Sequence, residues 1–523
     1  MKWLRSNRHN ALLVPRALLR QVRPDQLGKF LPVLIQGQSY VAVPHNLDTM
    51  RVLAKAGLRP PGPIRFEYDW PIRPEWKPFP HQVATADFLT QNPRAFVFSE
   101  IGTSKTLAAI WAADYLQNAG RIRRVLIITT MSTLWNVWER ELFFTLAPRR
   151  KSAVVLHGTA AKRKKLLDEM HDFYIINHEG LRTVADELES RADIDHVIVD
   201  EGARYRNSQT DKYEVLDRVV GPRAKPPRSL WWMTGSPMPH DPTDAWAQAR
   251  MVNPSLVPRY YSRFRNMVMV KVSQFKWVPR KGWEQMVFGM LKPSVRYLRD
   301  KCIGIPPTMV SERSAELSKQ QAEAYKSLLD EYMYEHKEGL VTAANEGVKL
   351  MKLVQVSTGA VYDTSGQTIV FDIAPKYRAL MEIIEEAGNK AIVFTPFRHS
   401  IHLLEEALSK THSVGVVHGD VSPKTRSEIF QKFQHEDLQI LLAHPETMAH
   451  GVDLTASSVI IWWGPLDNFE IYDQANGRIT RAGQTKQPLV IHLAASEAER
   501  RVYKRMSRKE SLQGLLLELL TTS

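Results

Sequence analysis

Short apolar runs, set apart by stretches of helical periodicity, dominate two parts of this chain. Between residues 76 and 255, Ala95-Phe-Val-Phe98, Arg124-Val-Leu-Ile-Ile-Thr129, Phe173-Tyr-Ile-Ile176, Val197-Ile-Val199 and Leu230-Trp-Trp-Met233 read as strands with no polar face. Residues 106–117 read as a helix between the first two. From about residue 373 the alternation returns, with helices over 376–387 and 400–410 and strands over 391–394, 413–417, 439–442 and 458–462. A strand that is apolar on both sides must be covered on both sides, so each stretch predicts an α/β lobe built on a parallel sheet.

The remaining segments break this rhythm. Residues 1–75 mix a strand at Tyr40-Val-Ala-Val-Pro44, a helix over 46–56 and the breaker Pro60-Pro-Gly-Pro63, and predict a small α/β accessory unit. Residues 256–372 are mostly helical in pattern, for example over 318–335, and separate the lobes. A last helix runs from 497 to about 520. The predicted division is therefore 1–75, 76–255, 256–372, 373–495 and 496–523.

Composition narrows the class. No apolar run approaches the roughly 20 residues that span a bilayer, and the basic N-terminus is followed by no uninterrupted apolar stretch, so no signal peptide is read. The single cysteine, Cys302, excludes an internal disulfide and a multi-cysteine zinc site and fits a reducing cytoplasm. The formal net charge of +14 fits a polyanionic partner, nucleic acid first, or simply a well-solvated surface. Residues 256–301 hold eleven Lys/Arg against two acids, interleaved with Tyr260, Tyr261, Phe264, Phe275, Trp277, Trp283, Phe288 and Tyr297. Cations neutralise phosphates and aromatics stack on bases, although aromatics at this spacing also make an ordinary core. Arg500, Arg501, Lys504, Arg505, Arg508 and Lys509 form a second basic stretch, either a solvated helix face or a further contact.

Three short strings carry candidate chemistry. Glu100-Ile-Gly-Thr-Ser-Lys-Thr106 follows a strand and opens a helix. Backbone N–H groups at such a turn point at an anion, a lysine neutralises β/γ-phosphates and the next hydroxyl takes Mg²⁺. Gly102, Thr103, Ser104, Lys105 and Thr106 fit this cradle, with Ser104 where glycine is usual, and a Cβ there restricts the backbone. Asp200-Glu201 end an apolar strand, where ligands of open α/β sheets bind: the Asp suits magnesium and the Glu suits the attacking water. Arg478 and Arg481, spaced i, i+3, share one helical face, and their guanidinium forks suit the charge on a transferring γ-phosphate. Taken singly, each string also suits a plain turn, a pair of solvated acids or a surface helix.

In this order, the strings resemble the Swi/Snf-type branch of superfamily-two helicase-like ATPases, over residues of about 79 to 495. Pro80-His81-Gln82 is similar to the adenine-side glutamine motif and residues 99–106 to motif I. Thr129-Thr-Met-Ser-Thr-Leu-Trp135 with Trp138-Glu139 resembles motif Ia, Asn177-His-Glu-Gly180 motif Ib, and Asp200-Glu-Gly-Ala-Arg-Tyr-Arg-Asn207 motif II. Thr234-Gly-Ser-Pro237 resembles motif III, Ile392-Val-Phe-Thr395 motif IV, and Gly451-Val-Asp-Leu454 motif V. Gln474-Ala-Asn-Gly-Arg-Ile-Thr-Arg-Ala-Gly-Gln484 resembles motif VI. His418-Gly-Asp420 with Arg426 and Phe430 is similar to the segment after motif IV. Arg299-Asp-Lys301, Ile305-Pro-Pro307 and Leu317-Ser-Lys-Gln320 resemble the link between the lobes.

The resemblance implies two RecA-like lobes with ATP and Mg²⁺ in the cleft between them. Gln82, residues 102–106, Asp200 and Gln474 would bind nucleotide, Thr106 and Asp200 the metal, and Lys105, Glu201, Arg478 and Arg481 would act in hydrolysis. It further implies double-stranded DNA held across both lobes and translocation without obligatory strand separation. A monomer is expected, cytoplasmic in a bacterial host cell or associated with its nucleoid. Ser104, Ala203, Asp453 and Thr480 depart from the family pattern. Two alternatives stand beside this expectation: a strand-separating helicase on RNA or branched DNA, and a catalytically silent DNA-binding scaffold.

Overall fold

The computed structural model describes residues 3–507 apart from 20–21, 23, 72–76, 101, 236, 239–240, 275, 304–305, 332, 337–338, 344–345, 389, 449–452 and 482. Both expected parallel sheets are present. The first has seven strands in the order Ser294–Val295, Arg94–Val97, Ser229–Met233, Ile194–Asp200, Arg124–Thr129, Phe173–Asn177, Ala153–Val155, all parallel. Side chains alternate across it: Val197 and Val199 face one apolar core, with Leu126, Ile128 and Trp232, and Ile198 faces the other, with Ile127, Trp231 and Trp111. The second sheet has six parallel strands in the order Met309–Ser314, Leu489–Ala494, Val459–Trp462, Ala391–Phe394, Ile440–Ala443, Val414–Val417, again with a core on each face.

The N-terminal unit is a four-stranded antiparallel sheet carrying the helix Leu47–Lys55, whose first turn is capped by the Asn46 side chain accepting from the Thr49 N–H at 2.9 Å. Residues 256–372 differ from the helical expectation. The helices Tyr261–Val268, Trp283–Met290, Lys319–Glu331 and Glu346–Ser357 are there, but antiparallel hairpins lie among them. The same region also gives one edge strand to each parallel sheet, Ser294–Val295 to the first and Met309–Ser314 to the second. The helix expected over 318–335 stops at Glu331. Of the last predicted helix, 497–507 is helical and 508–520, with Arg508 and Lys509, lies outside the described residues. That helix is fastened to the second lobe by a fully buried ion pair between Glu499 and Lys376.

Candidate nucleotide site between the lobes

The parallel arrangement brings the carboxyl ends of Arg94–Val97, Arg124–Thr129 and Ile194–Asp200 to one edge of the first sheet, and the candidate residues gather there. After the first strand the chain turns through Gly102 (φ +88°) and Ser104 (φ 54°, ψ 38°) into the helix Lys105–Asn118. Lys105 Nζ donates to the Ser99 carbonyl at 3.1 Å, and Thr103 Oγ1 to the Glu100 carbonyl at 2.8 Å. The glutamine-motif segment packs beneath. His81 Nε2 lies 2.9 Å from the Thr103 carbonyl oxygen, and Gln82 Nε2 3.5 Å from that of Ser104.

Ser104 therefore meets the demand for a left-handed residue without being glycine. A Cβ in this region is disfavoured, and replacing it with glycine trades that strain against a more flexible unfolded chain. Ser104→Gly is expected to stabilise the protein by about 0.5–1 kcal/mol, read as a raised denaturant midpoint at an unchanged m-value.

Asp200 is held firmly. Its Oδ2 accepts from Trp138 Nε1 at 2.9 Å and Thr129 Oγ1 at 3.1 Å, and its Oδ1 from the Glu201 N–H at 3.1 Å. Thr129 ends the strand next door, one step past the Ile128–Val199 pair, so sheet register sets it against the carboxylate. Glu201 sits in left-handed backbone (φ 52°), a conformation disfavoured for a residue with a Cβ. Burial pushes its carboxyl up to about 7; Lys105 opposes the shift and Asp200 reinforces it. Gly202 must be glycine, because a methyl there would stand 2.2 Å from Trp232 Nε1. His178 Nδ1 bonds the Tyr205 hydroxyl at 3.0 Å, which joins the Asn177–Gly180 segment to the tail of the acid pair. Thr234 continues its strand, with its N–H on the Val97 carbonyl; Ser236 lies outside the described residues.

The second lobe closes over this edge. A methyl at Gly102 would stand 3.1 Å from the Thr480 carbonyl oxygen, 3.4 Å from Arg299 Cδ and 3.7 Å from Arg481 Cγ, so the segment holding both arginines lies directly on the loop. Arg478 is 3% exposed, and among the described residues nothing accepts a hydrogen bond from its Nε. Burial lowers its pKa to about 9, Arg481 adds to the effect, and Glu201 partly offsets it. Burial also lowers Arg481, against the pull of Asp453, with Arg299 and Arg140 adding repulsion. Arg206 of the first lobe faces Glu470 of the second at 3.6 Å. The structure thus unites Lys105, Glu201 and Arg478 electrostatically and seats Arg481 against Gly102. Thr106 is the second residue of the helix Lys105–Asn118. Gln474 is buried on the second-lobe helix Phe469–Asn476, with no hydrogen bond to the loop among the described residues. Of the motif V string, Gly451 and Val452 lie outside the described residues.

A set of contacts on the loop was not legible in sequence. Glu100 accepts from the Arg299 N–H (2.9 Å) and Arg296 Nη2 (3.3 Å), and Ser99 Oγ from the Tyr297 N–H (3.2 Å). A strand of two residues, Ser294–Val295, gives no periodic signal, and it is this strand that lays 296–299 along the loop.

The basic, aromatic stretch divides. Phe264 and Trp283 are core, whereas Tyr260 and Tyr261 are 63% and 41% exposed, and Arg265 covers Trp277 at 4.2 Å. Phe275 lies outside the described residues. In the C-terminal basic stretch Arg500 pairs with Glu312, Arg501 with Glu497 and Arg505 with Asp467, which favours a solvated helix face there. Among the described residues no helix is long and apolar enough to cross a membrane.

Comparison with known proteins gives the family of the chain. Residues 1–359 match the SNF2-related domain and residues 375–483 the Helicase conserved C-terminal domain. A putative protein, p41, of Acyrthosiphon pisum secondary endosymbiont phage 1 is 23% identical over 465 residues, which is 84% of this chain and 98% of that protein. The putative ATP-dependent helicase/translocase YwqA of Bacillus subtilis is 22% identical over 413 residues, 75% of this chain but 43% of that protein. The Sulfolobus solfataricus SWI2/SNF2 ATPase core in complex with dsDNA aligns at a TM-score of 0.42 and 21% identity, covering 86% of this chain and 94% of that one.

Proposed function

Because this chain belongs to the SNF2-related family of helicase-like ATPases, we propose that it is a DNA-dependent ATPase that moves along duplex DNA, and that its work is to displace bound proteins or remodel replication and repair intermediates. The observation that carries the reading is the second lobe's arginine segment seated on Gly102 of the phosphate loop, so that closing and opening of the lobes would make and break the catalytic set.

The residues fit ATP and Mg²⁺. A buried guanidinium whose Nε has no acceptor among the described residues, beside a loop of left-handed residues opening a helix, suits a phosphate. Among the described residues no three His, Cys, Asp or Glu side chains gather to hold a metal by themselves. That fits Mg²⁺ held by one carboxylate, one hydroxyl and substrate oxygens: Asp200, Thr106 and the triphosphate. Bound there, the metal would neutralise charge on the phosphates. Lys105 would neutralise the β/γ-phosphates, Glu201 would take the proton of the attacking water, and Arg478 and Arg481 would meet the γ-phosphate from the second lobe. Gln82 and Gln474 would contribute to nucleotide binding.

Duplex DNA would run over the exposed Tyr260, Tyr261 and the cations around them, consistent with the +14 charge. The protein would act as a monomer in the cytoplasm. The test is steady-state ATPase activity with duplex DNA, single strands and RNA. Duplex DNA is expected to raise turnover at least about tenfold, on the scale of one good charge-assisted contact. Equal or greater stimulation by RNA or single strands would replace duplex translocation with a strand-separating activity, and no hydrolysis in any arm would leave a binding scaffold.

A further inference from the structure

We infer that Arg299, from the segment linking the lobes, is a third arginine of the nucleotide site and contacts the phosphate chain of the bound nucleoside triphosphate. The inference deepens the reading above and rests on it. Three observations place the residue. Its side chain lies over the phosphate loop, with Cδ 3.4 Å from the position a Gly102 methyl would take, on the same side as Arg481 Cγ and the Thr480 carbonyl. Its backbone is pinned to that loop: Glu100 accepts the Arg299 N–H with one carboxylate oxygen and Arg296 with the other, while Tyr297 reaches Ser99. The pinning comes from the short strand Ser294–Val295, which pairs with Arg94–Val97 in the first sheet, so residue 299 belongs to the first lobe even though it leads into the second.

Charge completes the argument. Arg299 and Arg481 are close enough for repulsion, which Asp453 partly offsets at Arg481, and Glu100 is engaged by Arg296 and by a backbone N–H. Cations held side by side over an anion-binding loop are stabilised when an anion joins them. Guanidinium also suits this place better than ammonium, since its fixed fork can hold two phosphate oxygens at once. Placed there, Arg299 would connect nucleotide occupancy to the link running on to Met309–Ser314, the edge strand of the second sheet. Arg299 would then sense phosphate from the first-lobe side while Arg478 and Arg481 sense it from the second.

Equilibrium binding of ATPγS, with thermal melting of the nucleotide-free protein, tests the assignment in the full-length chain. Arg299→Ala is expected to weaken ATPγS binding about tenfold or more, the scale of one hydrogen bond to a charged group, and Arg299→Lys less. Both variants should melt where the wild type does. Unchanged ATPγS affinity in both, with wild-type protein that binds and hydrolyses, overturns the role of Arg299 alone. A lowered nucleotide-free melting temperature in Arg299→Lys, with its affinity intact, also overturns it and makes the arginine a structural brace. Wild-type protein that binds no ATPγS defeats the ATPase reading itself.

Discussion

Glu201→Gln is expected to cut ATP turnover by about 10²–10⁴-fold, the range for a general base, and to leave ATP binding nearly intact. The carboxylate sits beside Asp200 and Lys105 at the end of a central strand, and burial raises its pKa to about 7. A base with that pKa accepts a proton readily near neutral pH and still exists largely as carboxylate a little above it. The pH profile of kcat/KM reports the free enzyme. It should therefore fall about tenfold per unit below about pH 7, far above the point where an ordinary glutamate would titrate. The same shift has a consequence for folding. The folded carboxyl is raised above its unfolded value near 4.5, so the folded state holds the extra proton between about 4.5 and 7. This contribution to stability is full below 4.5 and lost as pH rises through 7. Glu201→Gln should therefore melt higher than wild type at pH 8, with the gap closing as pH drops toward 5. Full turnover in the variant, or an acid limb near 4.5, would remove Glu201 from the base's role.

How much of this could be read from residues alone follows from where the signal lies. The strands Arg124–Thr129, Ile194–Asp200 and Ala391–Phe394 are apolar on both faces, and that property survives in one dimension. Leu489–Ala494 was missed because His492 interrupts its run. In the fold that histidine is buried, bonded to the Tyr472 hydroxyl at 2.8 Å and stacked on Tyr503, so it behaves as core. Met309–Ser314 was missed for the opposite reason: as an edge strand it is largely exposed and reads as polar. Candidate residues such as Lys105, Asp200 and Arg478 were visible because each lies in a short string whose chemistry is local. What positions them was not visible. The grip of Thr129 and Trp138 on Asp200 depends on strand register and on a helical turn 62 residues from the carboxylate. The approach of Thr480 to Gly102 joins residues 378 positions apart (480 − 102).

Arg478→Ala is expected to reduce turnover by about 10³–10⁵-fold, the range for an arginine that meets the transferring phosphoryl group. Its place is otherwise costly. A guanidinium 3% exposed, repelled by Arg481 and without an acceptor for its Nε among the described residues, pulls against the folded state, and Glu201 and Asp473 partly counter this. Such a cation is useful only when negative charge arrives in front of it. Turnover and nucleotide-free stability should therefore part company: Arg478→Ala melts no lower than wild type while hydrolysis collapses. The thermal upshift produced by saturating ATPγS shrinks as well, because part of the binding energy came from filling that site. Double substitution with Glu201→Gln separates this from a simple ion pair. If the two residues served only each other, the double variant would recover the stability lost by either single one. If each acts on the nucleotide, the double variant stays inactive and its ATPγS upshift is no larger than that of Arg478→Ala. A nucleotide-free melting temperature that drops sharply in Arg478→Ala, with hydrolysis retained, would make this arginine a strut between the lobes.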